Sequence, residues 1–171
     1  MMAGVTLVAF AIYLLYQEIP LNISTWGLWT ILNTVNCVTM MRAGNKQAWL
    51  PAGYATGAFL ITVMVIKNGT WSWGVLETLV LLGTLGALYV SFKVNKELGI
   101  VMAVSAMLIA GAPTVYDSWL APASESWWLW AICCISSVIS AVVASGWTIK
   151  DRLFSVTGGL FNALMFLLVV F

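Results

Sequence analysis

The chain is a series of long apolar runs separated by only a few residues, and this spacing decides most of what it can fold into. The breaks are Gln17-Glu18-Ile19-Pro20, Arg42-Ala43-Gly44-Asn45-Lys46, Lys67-Asn68-Gly69-Thr70, Lys93-Val94-Asn95-Lys96, Asp117 to Pro122, and Thr148-Ile149-Lys150-Asp151-Arg152. Each carries charge, glycine or proline, the residue types that end helices. Between them lie seven runs, at 2–17, 24–42, 48–67, 73–93, 97–116, 124–146 and 153–171. Their lengths are near the ~20 apolar residues that carry a helix across a bilayer. None alternates with period two, which excludes a closed barrel, so each must satisfy its own backbone as a helix. At 62% hydrophobic and 8% charged residues, there is too little polar surface for a soluble domain. The expected fold class is an all-α integral membrane protein with seven transmembrane helices, and Pro20, Pro51, Pro113 and Pro122 are expected at helix ends.

Several classes drop out. A net charge of +1 argues against nucleic acid as a partner. Cys37, Cys133 and Cys134 have neither disulfide nor metal-ligand spacing, and there is no histidine, so no metal or cofactor is expected. The N-terminal run lacks a basic leader and a small-residue cleavage site, and reads as a first membrane helix. Arg42, Lys46, Lys93, Lys96, Lys150 and Arg152 all follow even-numbered runs, and Lys67 alone falls on the other side. The positive-inside rule then puts the N-terminus in the cytoplasm and the C-terminus outside.

The second run contains Trp26-Gly-Leu-Trp29-Thr-Ile, and the sixth contains Trp127-Trp-Leu-Trp130-Ala-Ile at the same depth. Thr56-Gly57 and Thr157-Gly158 likewise match in the third and seventh runs. The chain therefore reads as two three-helix units, 1–70 and 97–171, joined by a linker helix within 71–96. One helix between the units makes the repeat parallel (3+1+3), an architecture of transporters whose site lies near the midplane between the halves.

At 100° per residue, Trp26, Trp29, Asn33 and Asn36 share a sector of roughly 80°. Trp127, Trp130, Cys134 and Ser137 share the same sector of the second copy. With ~1.5 Å of rise per residue, Asn33 lies roughly 13 Å below the outer boundary. Each face thus carries indoles towards the outside, with hydrogen-bonding or small groups beneath. An interfacial aromatic belt is the competing account of the tryptophans, and it covers Trp71, Trp73, Trp119 and Trp128 better than the repeated ones. Asn33 and Asn36 can either contact a ligand or bond a neighbouring helix. Tyr54, Thr56, Tyr116 and Asn162 are further candidates to line the cavity. Glu77, a turn inside the fourth run, is either a functional acid or a snorkelling outer-end carboxylate.

Trp26, Trp29 and Asn33 form W-x-x-W-x-x-x-N, and in a 3+1+3 chain of this length the motif resembles the PnuC family of vitamin transporters. That family shares its architecture with the SWEET sugar transporters. The resemblance implies that Trp26, Trp29 and Asn33 line a substrate site. It also implies a substrate such as nicotinamide riboside, a bacterial inner membrane, and a cytosolic kinase that traps the substrate. The second copy has Cys134 where the family has asparagine, and no Pro-Gln dipeptide occurs. The expected function is facilitated diffusion of a small aromatic vitamin or nucleoside, with a homo-oligomer left open. A SWEET-like sugar facilitator and a non-transporting assembly or sensor subunit are the alternatives. An enzyme is not expected, because no nucleophile has a base at helical spacing and no carboxylates are paired at one depth.

Overall fold

A computed structural model describes residues 22–67, 69–120 and 126–171, together with Leu7, Ala9 and Ile12. Apart from those three residues, which are helical, the first run lies outside the described residues, as do Pro20, Asn68 and Pro122. The described part is all-helical, and no β-strand forms in it. Its helices are α1 (Ile23–Arg42), α2 (Trp49–Val65), α3 (Val75–Lys93), α4 (Lys96–Leu120), α5 (Trp127–Val142) and α6 (Ile149–Val170), with a 3₁₀ turn at Lys46–Ala48. Among the described residues, four segments are long and apolar enough to cross a membrane: Lys46–Val65, α3, α4 and α6.

The helix ends follow local chemistry. Asn22 caps α1 by accepting from Ser24 N–H at 3.0 Å and the Ser24 hydroxyl at 2.6 Å. At the other end Gly44, at φ +76°, lets Gly44 and Asn45 donate to the carbonyls of Met41 and Met40. Asn95 starts α4 by accepting from the N–H groups of Glu97 and Leu98.

α1 has the length of a span but is richer in polar side chains. Their donors bond within the helix: Thr30, Asn33, Thr34 and Asn36 each donate to the carbonyl four residues earlier, and Thr39 to the one three earlier. Such back-bonding lets polar residues sit in an apolar setting without seeking water.

Two boundaries differ from expectation. The sixth run was expected to span 124–146, but α5 stops at Val142. Arg152 folds back there and donates to the carbonyls of Ala141, Ala144 and Gly146, satisfying the loop that ends the helix. Pro113 was expected at a helix end, but it lies inside α4, which runs on to Leu120. A proline removes one ladder bond, and tertiary packing of an apolar helix can carry the helix past it.

In packing order, α2 lies along α1, and Gly57 of α2 faces the Leu7 side chain of the first run. In the second half, α6 packs against both α4 and α5. α3 and α4 form a close hairpin, made possible where Gly99 meets Ser91, and α1 packs on both of them. The repeated Thr-Gly pairs have different neighbours: Gly57 meets Leu7, whereas Gly158 meets Ser137 of α5. One end of the bundle gathers Arg42, Lys46, Lys93, Lys96, Lys150 and Arg152. There Asn45 donates to the Lys150 carbonyl, Arg42 donates to the Ser91 carbonyl, and Lys150 lies 3.9 Å from Glu97. Asn22, Thr70 and Ser72 meet at the opposite end.

Candidate functional site

The last tryptophan of each W-x-L-W motif reaches the same ring. Trp29 of α1 lies 6.4 Å from Phe161 of α6, centroid to centroid, at 47°. Trp130 of α5 lies 6.1 Å from it in an edge-on arrangement at 74°. Both distances are within the ~4.5–7 Å of favourable aromatic pairs. Phe161 rests its edge on Gly111 of α4, where a Cβ would stand 2.5 Å from Cε2 and 2.7 Å from Cζ. A glycine at 111 is what makes room for that ring.

The next residue of α6, Asn162, belongs to a polar layer. Its Nδ2 donates to the Gly158 carbonyl at 2.7 Å and to the Tyr54 oxygen at 3.4 Å. Tyr54 donates to the Cys133 carbonyl at 3.1 Å and lies 3.1 Å from the Ser137 hydroxyl. A phenol has one hydrogen, so with that hydrogen on Cys133 the Ser137 hydroxyl is the donor to Tyr54. The node ties α2 to α5 and α6. The Tyr54 ring packs on Phe154 at 6.3 Å.

The first-copy face lies against the bundle, with Trp26 and Trp29 half-buried and Asn33 and Asn36 buried. Asn33 donates to the Trp29 carbonyl at 2.8 Å. Asn36 reaches across to the Ala103 carbonyl of α4 at 3.4 Å, as an interhelical bond, while its own Oδ1 is buried without a partner. The second copy is less uniform. Trp130 and Cys134 are half-buried and Ser137 is fully buried. Trp127 is 56% exposed at the start of α5, where it has the setting of an aromatic-belt residue rather than of a cavity wall. Cys134 sits 3.6 Å from the Gly159 carbonyl, as packing between α5 and α6.

Of the additional candidates, Tyr54 and Asn162 come together, whereas Thr56 and Tyr116 face outwards. Glu77 accepts from Gly74 N–H at 2.8 Å, which caps its own helix and favours the structural account of that acid. It also borders a cleft of about 80 Å³ between α1, α3 and α4, with Thr25, Trp29, Pro113 and Thr114. That volume is well below the ~300–1,000 Å³ of small-molecule sites. Among the described residues no group of His, Cys, Asp and Glu gathers as a metal site.

At the basic end the halves are fastened by polar bonds. Ser140 donates to the Gln47 side-chain oxygen at 3.1 Å and pairs with Ser155 at 2.8 Å, while Gln47 donates to the Val143 carbonyl at 3.4 Å. The sequence reading missed these residues together with Phe161 and Gly111. A phenylalanine in an apolar helix carries no signal, although its place beside Asn162 was a usable hint. No family model, curated protein or solved structure matches the chain.

Proposed function

We propose that the chain is a seven-helix transporter of the 3+1+3 kind, facilitating diffusion of a small, flat vitamin or nucleoside that is neutral or carries a single charge. Nicotinamide riboside, the substrate type of the PnuC resemblance, is the model ligand, and the basic end is cytoplasmic. The observation that carries this reading is the convergence on α6. Indoles from both repeats meet at Phe161, and hydroxyl and amide groups meet at Asn162, the next residue. A flat ring bearing ribose hydroxyls needs that pairing of an aromatic layer with a polar one. Support for the repeat comes from α2 and α6, each lying against both neighbours of its own unit.

A sugar facilitator is the second reading, favoured by Pro113 within α4, since SWEETs carry mid-helix prolines and sugars also stack on indoles. Thermal-shift measurements on the detergent-purified protein with nucleosides, B-vitamins and sugars separate the two. A ligand at 100 times its Kd adds about 2.7 kcal/mol of stability. Stabilisation by nicotinamide riboside or a related nucleoside is the expected result. Stabilisation by sugars alone selects the second reading, and no stabilisation by either class leaves a scaffold or sensor subunit.

A further inference from the structure

Phe161 presents an aromatic ring to indoles of both repeats at once, at 6.4 Å from Trp29 and 6.1 Å from Trp130. Its ring edge is accommodated by Gly111, where a Cβ would collide with it. The ring therefore fills a slot with walls from α1 and α5 and a floor from α4. On the same helix, Asn162 joins the hydrogen-bonded node of Tyr54 and Ser137.

We infer that Phe161 is a built-in stand-in for the substrate: its ring occupies the aromatic subsite between Trp29 and Trp130, and a flat ligand binds by displacing it. This rests on the transport reading above and names the specificity-determining residue within it. The separations that hold a phenyl ring hold another flat ring equally well, because offset and edge-on pairs share one distance range. A change of rotamer about χ1 carries the phenyl ring out of the gap, since side chains move between discrete staggered wells. With the ring in place the two halves are bridged by aromatic contacts. With a ligand in place the same bridge passes through the ligand, whose polar groups then face the node. Apparent affinity is accordingly lowered by the fraction of molecules in which Phe161 keeps the slot. The ring thus selects for ligands flat enough to take its place, and it closes the slot when none is bound.

The test uses the full chain in detergent, nicotinamide riboside as the probe, and titration calorimetry. Phe161→Ala should tighten the Kd by about tenfold, the gain expected if the filled slot dominates the free protein by that ratio. Phe161→Leu, which keeps apolar volume but not a flat ring, should tighten it by about threefold, and it serves if the alanine variant does not fold. Trp130→Ala should weaken binding. Fluorotryptophan NMR supplies a second readout: the Trp29 and Trp130 resonances should both move when Phe161 is replaced, and both should move when the probe is added to the wild type. If the wild type binds the probe while both Phe161 variants bind it no more tightly, the inference falls and the transport reading stands. Binding that leaves both resonances in place overturns it in the same way. If neither the wild type nor a variant binds the probe, the transport reading falls and this inference goes with it.

Discussion

Removing one oxygen atom from Tyr54 separates a fastener from a binding group. In Tyr54→Phe three partners lose a bond, and each has another. Asn162 Nδ2 keeps the Gly158 carbonyl at 2.7 Å. Ser137 stands four residues after Cys133 on α5, so its hydroxyl can return to the Cys133 carbonyl. That carbonyl also remains in the backbone ladder of its helix. The one donor that loses its acceptor is the second Nδ2 hydrogen of Asn162, whose bond to the phenol is long at 3.4 Å, so only a small part of the ~1–3 kcal/mol penalty for an unsatisfied group applies. The relevant figure is the average of about 0.6 kcal/mol for a hydrogen bond between membrane helices. The phenyl ring retains its packing on Phe154. For a chain of this size, ~1 kcal/mol corresponds to about 2–4 °C, so the thermal midpoint should fall by roughly 1–2 °C. Ligand affinity should suffer more. If the node accepts a ribose hydroxyl or an amide, losing the phenol weakens binding by ~1–3 kcal/mol, or about 5- to 150-fold. Thermal unfolding and calorimetric titration of the same preparation measure both quantities. A midpoint lowered by more than about 6 °C, with affinity unchanged in the folded protein, would refute the reasoning and make the node purely structural.

Asn33→Leu removes a bond that Asn33 makes only to its own helix, so the protein should purify folded while nicotinamide riboside binding weakens by about 1–3 kcal/mol in calorimetry. Gly99→Ala puts a Cβ 2.8 Å from the Ser91 Cα, a backbone atom that cannot step aside, and should cost about 1–3 kcal/mol in thermal unfolding. Gly158→Ala meets the Ser137 hydroxyl at an ordinary 3.6 Å and should stay within about 0.5 kcal/mol of the parent. Transport should be uncoupled from protons and sodium, and Glu77→Ala should lower stability by about 1 kcal/mol through the lost cap without changing the flux into proteoliposomes. Uphill accumulation of unmodified substrate under a pH or sodium gradient contradicts that expectation.

The all-helical class, and the division of the described residues into helices, were legible in the chain because both depend on local properties. Long apolar runs in lipid have to be helices, and charged, glycine- and proline-rich breaks have to lie between them. That Trp26, Trp29, Asn33 and Asn36 share one side was legible for the same reason, since helical periodicity alone puts them there. Gathering of the basic residues at one end also followed from counting helices. Other features depended on what each face meets. Trp26 and Trp127 are equivalent in the repeat, yet one is packed into the bundle and the other is exposed, because a repeat sets the spacing of side chains and not their neighbours. Pro113 looked like a helix end, because sequence cannot say whether packing carries a helix past a missing hydrogen bond. Phe161 and Gly111 are distant in sequence and chemically plain, and only the approach of α6 to α4 makes the one the counterpart of the other. Tyr54, Ser137 and Asn162 were each an ordinary polar residue on its own helix. Their meeting is a tertiary fact, and a buried hydroxyl gains from its setting only when a second and third helix bring partners to it.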